Sequence, residues 1–437
     1  MKKSLSISDI VALGFMLFAF FLGAGNIIFP PMAGQLAGEN LIPAMGGFLL
    51  TAAGLPLITV VAVATAGGTW DHLTSDLPKK VALLIAALIF IIIGPAFAAP
   101  RAGLVAYEMG IRPFVSQPGT LHLALFSITF FVLAMALAWA QGSLLDTIGK
   151  VLTPIMFVGL VALSVAVVLN PQGPIIHAQG DYLSQPFTKG ILEGYLTMDT
   201  FASLMFGMLL VQAINSKGVT ERKDVARYLI AAGVIAAVGL CLVYIALFYL
   251  GATSNGIAAG LENGGAILAE YVKALFGDKG QWVLSVIVLL ACLTTAVGLI
   301  SASSDFFSKN TKLGYKFWVV VNGSACALVA NVGLAQLIEL SVPVLFALYP
   351  IAIALVALTF VRPWLPNPKL AYRFVLMIAF ICALIDAAKV AGLDVSLFKF
   401  LPMFELGLGW VLPTSAALVG MLFTGSQQSD IEKQAEA

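Results

Sequence analysis

The chain has 437 residues, 60% of them hydrophobic and only 10% charged, with a mean hydropathy of +1.00. Soluble domains carry about 25% charge, so this chain has too little polar side chain to coat itself against water, and it reads as an integral membrane protein. Twenty-three basic against 22 acidic residues leave a net charge of +1, without the basic excess of a nucleic-acid binder.

A bilayer core takes about 20 apolar residues per helix. Twelve such runs follow one another, at 10–36, 41–66, 81–107, 121–139, 147–169, 191–214, 228–252, 281–304, 315–333, 335–361, 371–392 and 405–424. Runs of this length satisfy their own backbone as helices; a barrel would show short alternating segments. Met1-Lys2-Lys3 before the first run imitates a signal peptide. That run is too long, however, and no soluble domain follows a cleavage site, so it reads as a span. With both termini on one side, sixteen Lys and Arg (among them Lys2, Lys3, Lys150 and Lys433) fall on that side and six on the other, with Arg101 inside a span. The positive-inside rule makes the richer side the cytoplasm.

The first run reads Phe20-Phe21-Leu22-Gly23-Ala24-Gly25-Asn26-Ile27-Ile28-Phe29-Pro30-Pro31. Each glycine weakens a helix by about 1 kcal/mol relative to alanine, and the two prolines have no N–H to donate. The segment is predicted to unwind at mid-membrane, which is tolerable only where it lines a polar cavity. The alternative is that Gly23 and Gly25 merely let helices pack closely. In the third run, Pro95 and Pro100 predict kinks, and Arg101 is either one half of a gating ion pair or a snorkelling side chain.

Residues 170–190, with Pro171, Pro174 and Pro186, read as irregular. The sixth run carries Asp199, then Ser203 and Gly207. An acid within a span costs at least about 2.5 kcal/mol, so Asp199 faces a cavity or a partner, or else sits at the interface capping a helix. If each half of the chain holds five spans (10–169 and 191–361, with 371–424 added), the first and sixth runs open the two halves, which then insert with opposite topology. Interrupted segments at matching positions point to a transporter's binding site. The half-helix after Gly25 offers free N–H groups and a positive dipole end for a carboxylate; the half-helix before it ends in carbonyls suited to a cation.

After the seventh run, 253–280 begins with glycines and continues with Ile267, Leu268, Tyr271, Val272, Leu275 and Phe276 on one helical face, a short helix on the outer mouth. In the eighth run, Thr294 and Thr295 are either ion ligands or bonded back to their own helix. Pro343 and Pro350 predict kinks in the tenth. The sequon at Asn322 lies within a span and is discounted. Cys241, Cys292, Cys326 and Cys382 read as buried thiols, and three scattered histidines offer no metal cluster. Ser396-Leu-Phe-Lys399 matches S-x-x-K by chance, since its companion motifs are missing. A channel would need a polar pore or filter repeat, and neither is visible. An enzyme would need a catalytic set, and the acids are too scattered for one.

The stretch Phe18 to Pro31, together with Ile93-Gly94-Pro95-Ala96-Phe97-Ala98-Ala99-Pro100-Arg101, resembles the bacterial branched-chain amino acid carrier family, cation-coupled importers of leucine, isoleucine and valine. The resemblance implies an all-α leucine-transporter-like fold of two five-helix inverted repeats plus two helices, with helices 1 and 6 unwound. It also implies a multi-pass place in the bacterial inner membrane, both termini cytoplasmic, and no cofactor beyond a coupling ion. By that likeness Gly23, Ala24, Gly25 and Asn26 hold the substrate carboxylate, while Phe201 and Ser203 stand at the unwound part of helix 6 and Phe201 and Phe206 meet the substrate's apolar side chain. Sodium would sit among the carbonyls of Ala19, Leu22 and Ala291 and the hydroxyls of Thr294 and Thr295, with Asn26 serving a further sodium. Arg101, Asp199 and Asp305 are candidates for gating or coupling, and a proton carried by Asp199 or Asp305 is the alternative to sodium.

Overall fold

The computed structural model describes residues 4–117, 119–139, 153–261 and 263–424. The start of the fifth predicted span (147–152) lies outside these residues, as do Lys2, Lys3, Lys150 and Lys433. Every described regular element is helical. By length and apolarity, seven helical stretches could cross a membrane, and one bent pair makes an eighth. Each of the twelve predicted runs contains helix.

In chain order the helices are α1 (Ile7–Phe21), α2 (Ala24–Ala37), α3 (Leu41–Leu49), α4 (Leu55–Ala66), α5 (Trp70–Leu73), α6 (Lys79–Ile91), α7 (Ala98–Gly110) and α8 (Thr120–Ala138). There follow α9 (Thr153–Leu169), α10 (Pro186–Tyr195), α11 (Asp199–Ser216), α12 (Arg222–Ala252), α13 (Gly264–Asn310), α14 (Tyr315–Val329), α15 (Leu334–Val361), α16 (Pro368–Val390) and α17 (Val411–Phe423). Two compact units form, one of Met1–Val61 with Ala87–Ile338, the other of Ala62–Ala86 with Glu339–Ala437. The candidate site residues discussed below belong to the first.

α1 starts on a capping box: the Ser6 hydroxyl accepts from the amide of Asp9, whose carboxylate accepts from the amide of Ser6. It stops at Phe21, and Leu22 and Gly23 are non-helical before α2 begins at Ala24. The break is thus shorter than predicted, and Ala24, Gly25 and Asn26 form the first turn of α2. Pro30 and Pro31 are absorbed inside that helix.

Between α6 and α7 the chain makes a π turn, Ile92–Ala96, with Gly94 at ψ −111°. Pro95 sits in this kink, as its missing N–H requires. Pro100 produces none, because it falls in the first turn of α7, where the N–H would have no helical partner.

α10 and α11 meet at a 44° bend. The intervening Met198 is left-handed, at φ 65°, a conformation that costs a non-glycine residue about 1–2 kcal/mol. Phe201 and Ser203, expected in unwound chain, instead lie in the first turns of α11: the break falls at Leu196–Met198, where no glycine or proline marks it.

α13 is bent at Gly277 (φ 62°), which separates the predicted outer helix from the eighth span. Ile267, Leu268, Tyr271 and Val272 of that outer helix are buried, while Phe276, beside the bend, is exposed. The last helix starts at 411, six residues later than predicted, because 402–407 form turns, with Met403 and Gly407 at positive φ. All four cysteines are free thiols. Asn322 is buried against the Ser304 hydroxyl, where no glycosylating enzyme could reach it.

Candidate functional site

The two interrupted helices face one another around a narrow cavity of about 20 Å³, room for one or two waters. Its walls come from the end of α1 (Phe20, Phe21), the break and first turn of α2 (Gly23 to Asn26), and the α6–α7 kink (Ile93, Ala98, Arg101). The remaining walls are the α10–α11 break with the start of α11 (Thr197, Met198, Asp199, Ala202, Phe206) and α13 (Thr295, Leu299).

The first amides of a helix have no carbonyl behind them and form its positive pole. In α2 these are the amides of Ala24, Gly25 and Asn26, three residues that line the cavity. Close approach explains both glycines. A Cβ on Gly23 would lie 2.9 Å from the Thr295 methyl, and one on Gly25 would lie 2.7 Å from Arg101 Nη2 and 3.1 Å from the Thr197 Cα. The two sequence alternatives, broken helix and close packing, therefore hold together.

Arg101 is buried and does not snorkel. It donates from Nη1 to the Leu196 carbonyl at 2.7 Å and from Nη2 to the Thr197 carbonyl at 3.2 Å. These carbonyls lie at the α10–α11 break, so Arg101 ties α7 to that break, and its guanidinium also lies over the Phe29 ring.

Asp199 is likewise buried and lines the cavity, away from any solvated interface. Asn26 Nδ2 donates to Asp199 Oδ2 at 2.5 Å, and the Tyr244 hydroxyl of α12 donates to the same oxygen at 3.0 Å. Asn26 Nδ2 also contacts the Tyr244 hydroxyl, while Asn26 Oδ1 accepts from the Gly23 amide at 3.3 Å. Tyr244 was not anticipated. Its only sequence signal is a lone phenol in the apolar run Leu242 to Leu247.

Facing the end of α1, the Thr295 hydroxyl lies 3.4 Å from the Ala19 carbonyl, 3.2 Å from that of Phe20 and 3.5 Å from that of Leu22. Thr294 donates to the Ala291 carbonyl at 2.9 Å. Of the expected oxygen set, Ala19, Leu22 and Thr295 thus meet across the end of α1 and α13, with the carbonyl of Phe20 an unforeseen addition, while Thr294 is bonded back to Ala291 of its own helix. Hydroxyl and carbonyl oxygens of this kind suit a hard cation.

Phe206 lines the cavity and stacks on Phe20 at 4.9 Å. Phe201 is buried behind the wall, and the Ser203 hydroxyl donates to the Asp199 carbonyl at 2.6 Å. Asp305 lies apart from the cavity, paired with Lys309 at 2.6 Å. No group of acids, histidines and cysteines suited to a transition metal occurs among the described residues.

A family model described as "branched-chain amino acid transport protein" matches residues 6–428. The branched-chain amino acid transport system 2 carrier protein of Pseudomonas aeruginosa is 47% identical over 415 residues, 94% of each chain. The branched-chain amino acid permease BrnQ of Escherichia coli is 42% identical over 422 residues, 96% of each. Among solved structures, a Na+-coupled sialic acid symporter in a substrate-bound outward-open state matches with a TM-score of 0.62 at 14% identity, over 96% of this chain and 90% of its own. MhsT in complex with L-phenylalanine matches with a TM-score of 0.60 at 16% identity, over 97% and 100%. At such identities the likeness concerns the fold alone, which is the leucine-transporter-like one, all-helical with the first and sixth spans broken.

Proposed function

As the chain belongs to the branched-chain amino acid transport protein family, we propose that it imports leucine, isoleucine and valine together with sodium, by alternating access between two five-helix repeats (10–169 and 191–361). It is a transporter, not an enzyme. The proposal places it in the bacterial inner membrane with both termini cytoplasmic, an orientation that the distribution of Lys and Arg supports.

The observation that carries the sodium reading is the Thr295 hydroxyl set among the Ala19, Phe20 and Leu22 carbonyls. There a cation would tie α1 to α13 at the edge of the cavity. The substrate lies in that cavity, its carboxylate on the first-turn amides of α2 and its branched side chain among Phe20, Phe21, Ile93, Phe206 and Leu299. The free space is far smaller than a leucine, so the walls part to admit one, which supports a moving rather than a fixed site. One methylene more or less changes apolar binding by only about 1–3 kcal/mol, so the three side chains share one carrier.

The test is leucine uptake by the purified protein in vesicles at clamped membrane potential, with sodium replaced by choline. The expected result is loss of concentrative uptake. Uptake that persists and follows an imposed pH gradient overturns sodium coupling and assigns the role to a proton.

A further inference from the structure

The cavity wall is mostly apolar, and it holds two side chains of opposite charge, Arg101 and Asp199. They flank consecutive residues of α2. Arg101 packs against Gly25, whose Cβ would stand 2.7 Å from Nη2, and Asp199 accepts from Asn26 at 2.5 Å.

Each charge is held in a different way. Arg101 is anchored by two main-chain carbonyls. Asp199 accepts from Asn26 and Tyr244, both on Oδ2, so Oδ1 is committed to neither, with the Thr197 side chain and the Arg101 guanidinium also acting on the carboxylate. Burying a carboxylate is costly unless a cation or several donors compensate it. An asparagine of the same shape would avoid that cost, so a carboxylate on the cavity wall offers a charge that a cationic ligand can meet.

We propose that Asp199 is the receptor for the α-ammonium group of the substrate, whose carboxylate lies on the α2 amides toward Arg101. The inference rests on the cavity being an amino acid site, as argued above. An α-amino acid carries both charges on one carbon, and consecutive residues of one helical turn present the matching pair. The three N–H donors of the ammonium make a charge-assisted bond to Oδ1 with donors to spare for nearby carbonyls. A branched-chain acid without the amine is rejected, because it buries Asp199 without its cation.

The test measures binding to the purified full chain in sodium, read as ligand-induced thermal stabilisation. The ligands are leucine and 4-methylpentanoate, which is leucine without its amine. In the unaltered protein, 4-methylpentanoate binds on the order of 10- to 100-fold more weakly than leucine, the size of a hydrogen bond to a charged group. In Asp199→Asn, leucine weakens by that factor while 4-methylpentanoate does not, and the sodium requirement stays put. If Asp199→Asn does not fold, Asp199→Glu decides: the carboxylate is kept but displaced, so leucine weakens more than the analogue.

Equal binding of the two ligands by the unaltered protein overturns the proposal. So does a loss that falls equally on both ligands in either variant, or a defect repaired by more sodium or lower pH, which would make Asp199 part of an ion site. Absence of any leucine binding by the unaltered protein is a different failure, that of the amino acid reading itself.

Discussion

At the glycines, magnitudes separate two roles. In Gly25→Ala the new methyl meets Arg101 Nη2 and the Thr197 backbone. The guanidinium cannot retreat without stretching its bonds to Leu196 and Thr197, each worth about 1.5–3 kcal/mol as a bond to a charged group. Thermal unfolding should report a loss of about 2 kcal/mol, with uptake nearly abolished. In Gly23→Ala the obstacle is the Thr295 side chain, which can turn. Turning it carries the hydroxyl away from the α1 carbonyls, so the defect should appear chiefly as a raised sodium concentration for half-maximal uptake. Thr295→Ala should copy that defect and Thr295→Ser should spare it; unchanged sodium dependence in both Gly23→Ala and Thr295→Ala would remove the oxygen set from the mechanism. Both glycines were legible in the sequence because two independent physical demands, a broken helix and a close contact, select the same residue. Tyr244 was not, because a phenol in an apolar run carries no pattern of its own, and only the fold brings it to Asp199.

At the level of elements, the sequence located the first break and the Pro95 kink, where residues without helical capacity mark the place. It misplaced the sixth-span break by several residues, because Leu196, Thr197 and Met198 carry no such mark. There the left-handed turn is imposed by tertiary contacts, Arg101 holding the carbonyls of the first two residues. Met198→Gly tests which local effect wins. Relief of the left-handed strain gains about 1 kcal/mol, but removing a buried methionine side chain loses about 2–5 kcal/mol, and Met198 is only 1% exposed. The variant should be destabilised by thermal unfolding, and a stabilised one would mean that strain dominates.

A weaker tie joins the start of α1 to the end of α11, Asp9 to Lys217 at 2.9 Å, with both side chains about one-third exposed. Such pairs contribute at most about 1 kcal/mol and fade with salt, so this one would offer little resistance to the movement that alternating access, as proposed, asks of α1. Asp9→Asn should lower stability by less than about 1 kcal/mol at low salt and match the unaltered protein at high salt.

For the whole molecule, composition alone established a helical membrane protein. The break residues narrowed it to a carrier, but the coupling ion lies beyond composition because carbonyls and hydroxyls are present in every chain. The charge that moves is therefore the quantity to measure. If the proposed coupling holds, Arg101 and Asp199 offset one another and a zwitterionic substrate adds no net charge, so a single sodium at Thr295 would be the one net charge transferred per leucine. One elementary charge in 100 mV is worth about 2.3 kcal/mol, or roughly 50-fold accumulation before any sodium gradient is added. In vesicles with equal sodium on both sides, the logarithm of the leucine ratio should rise by one decade per about 60 mV, interior negative. A second sodium, with Asn26 as a ligand, would double that slope. A flat line would mean that no net charge crosses, and with it the sodium arithmetic would fail.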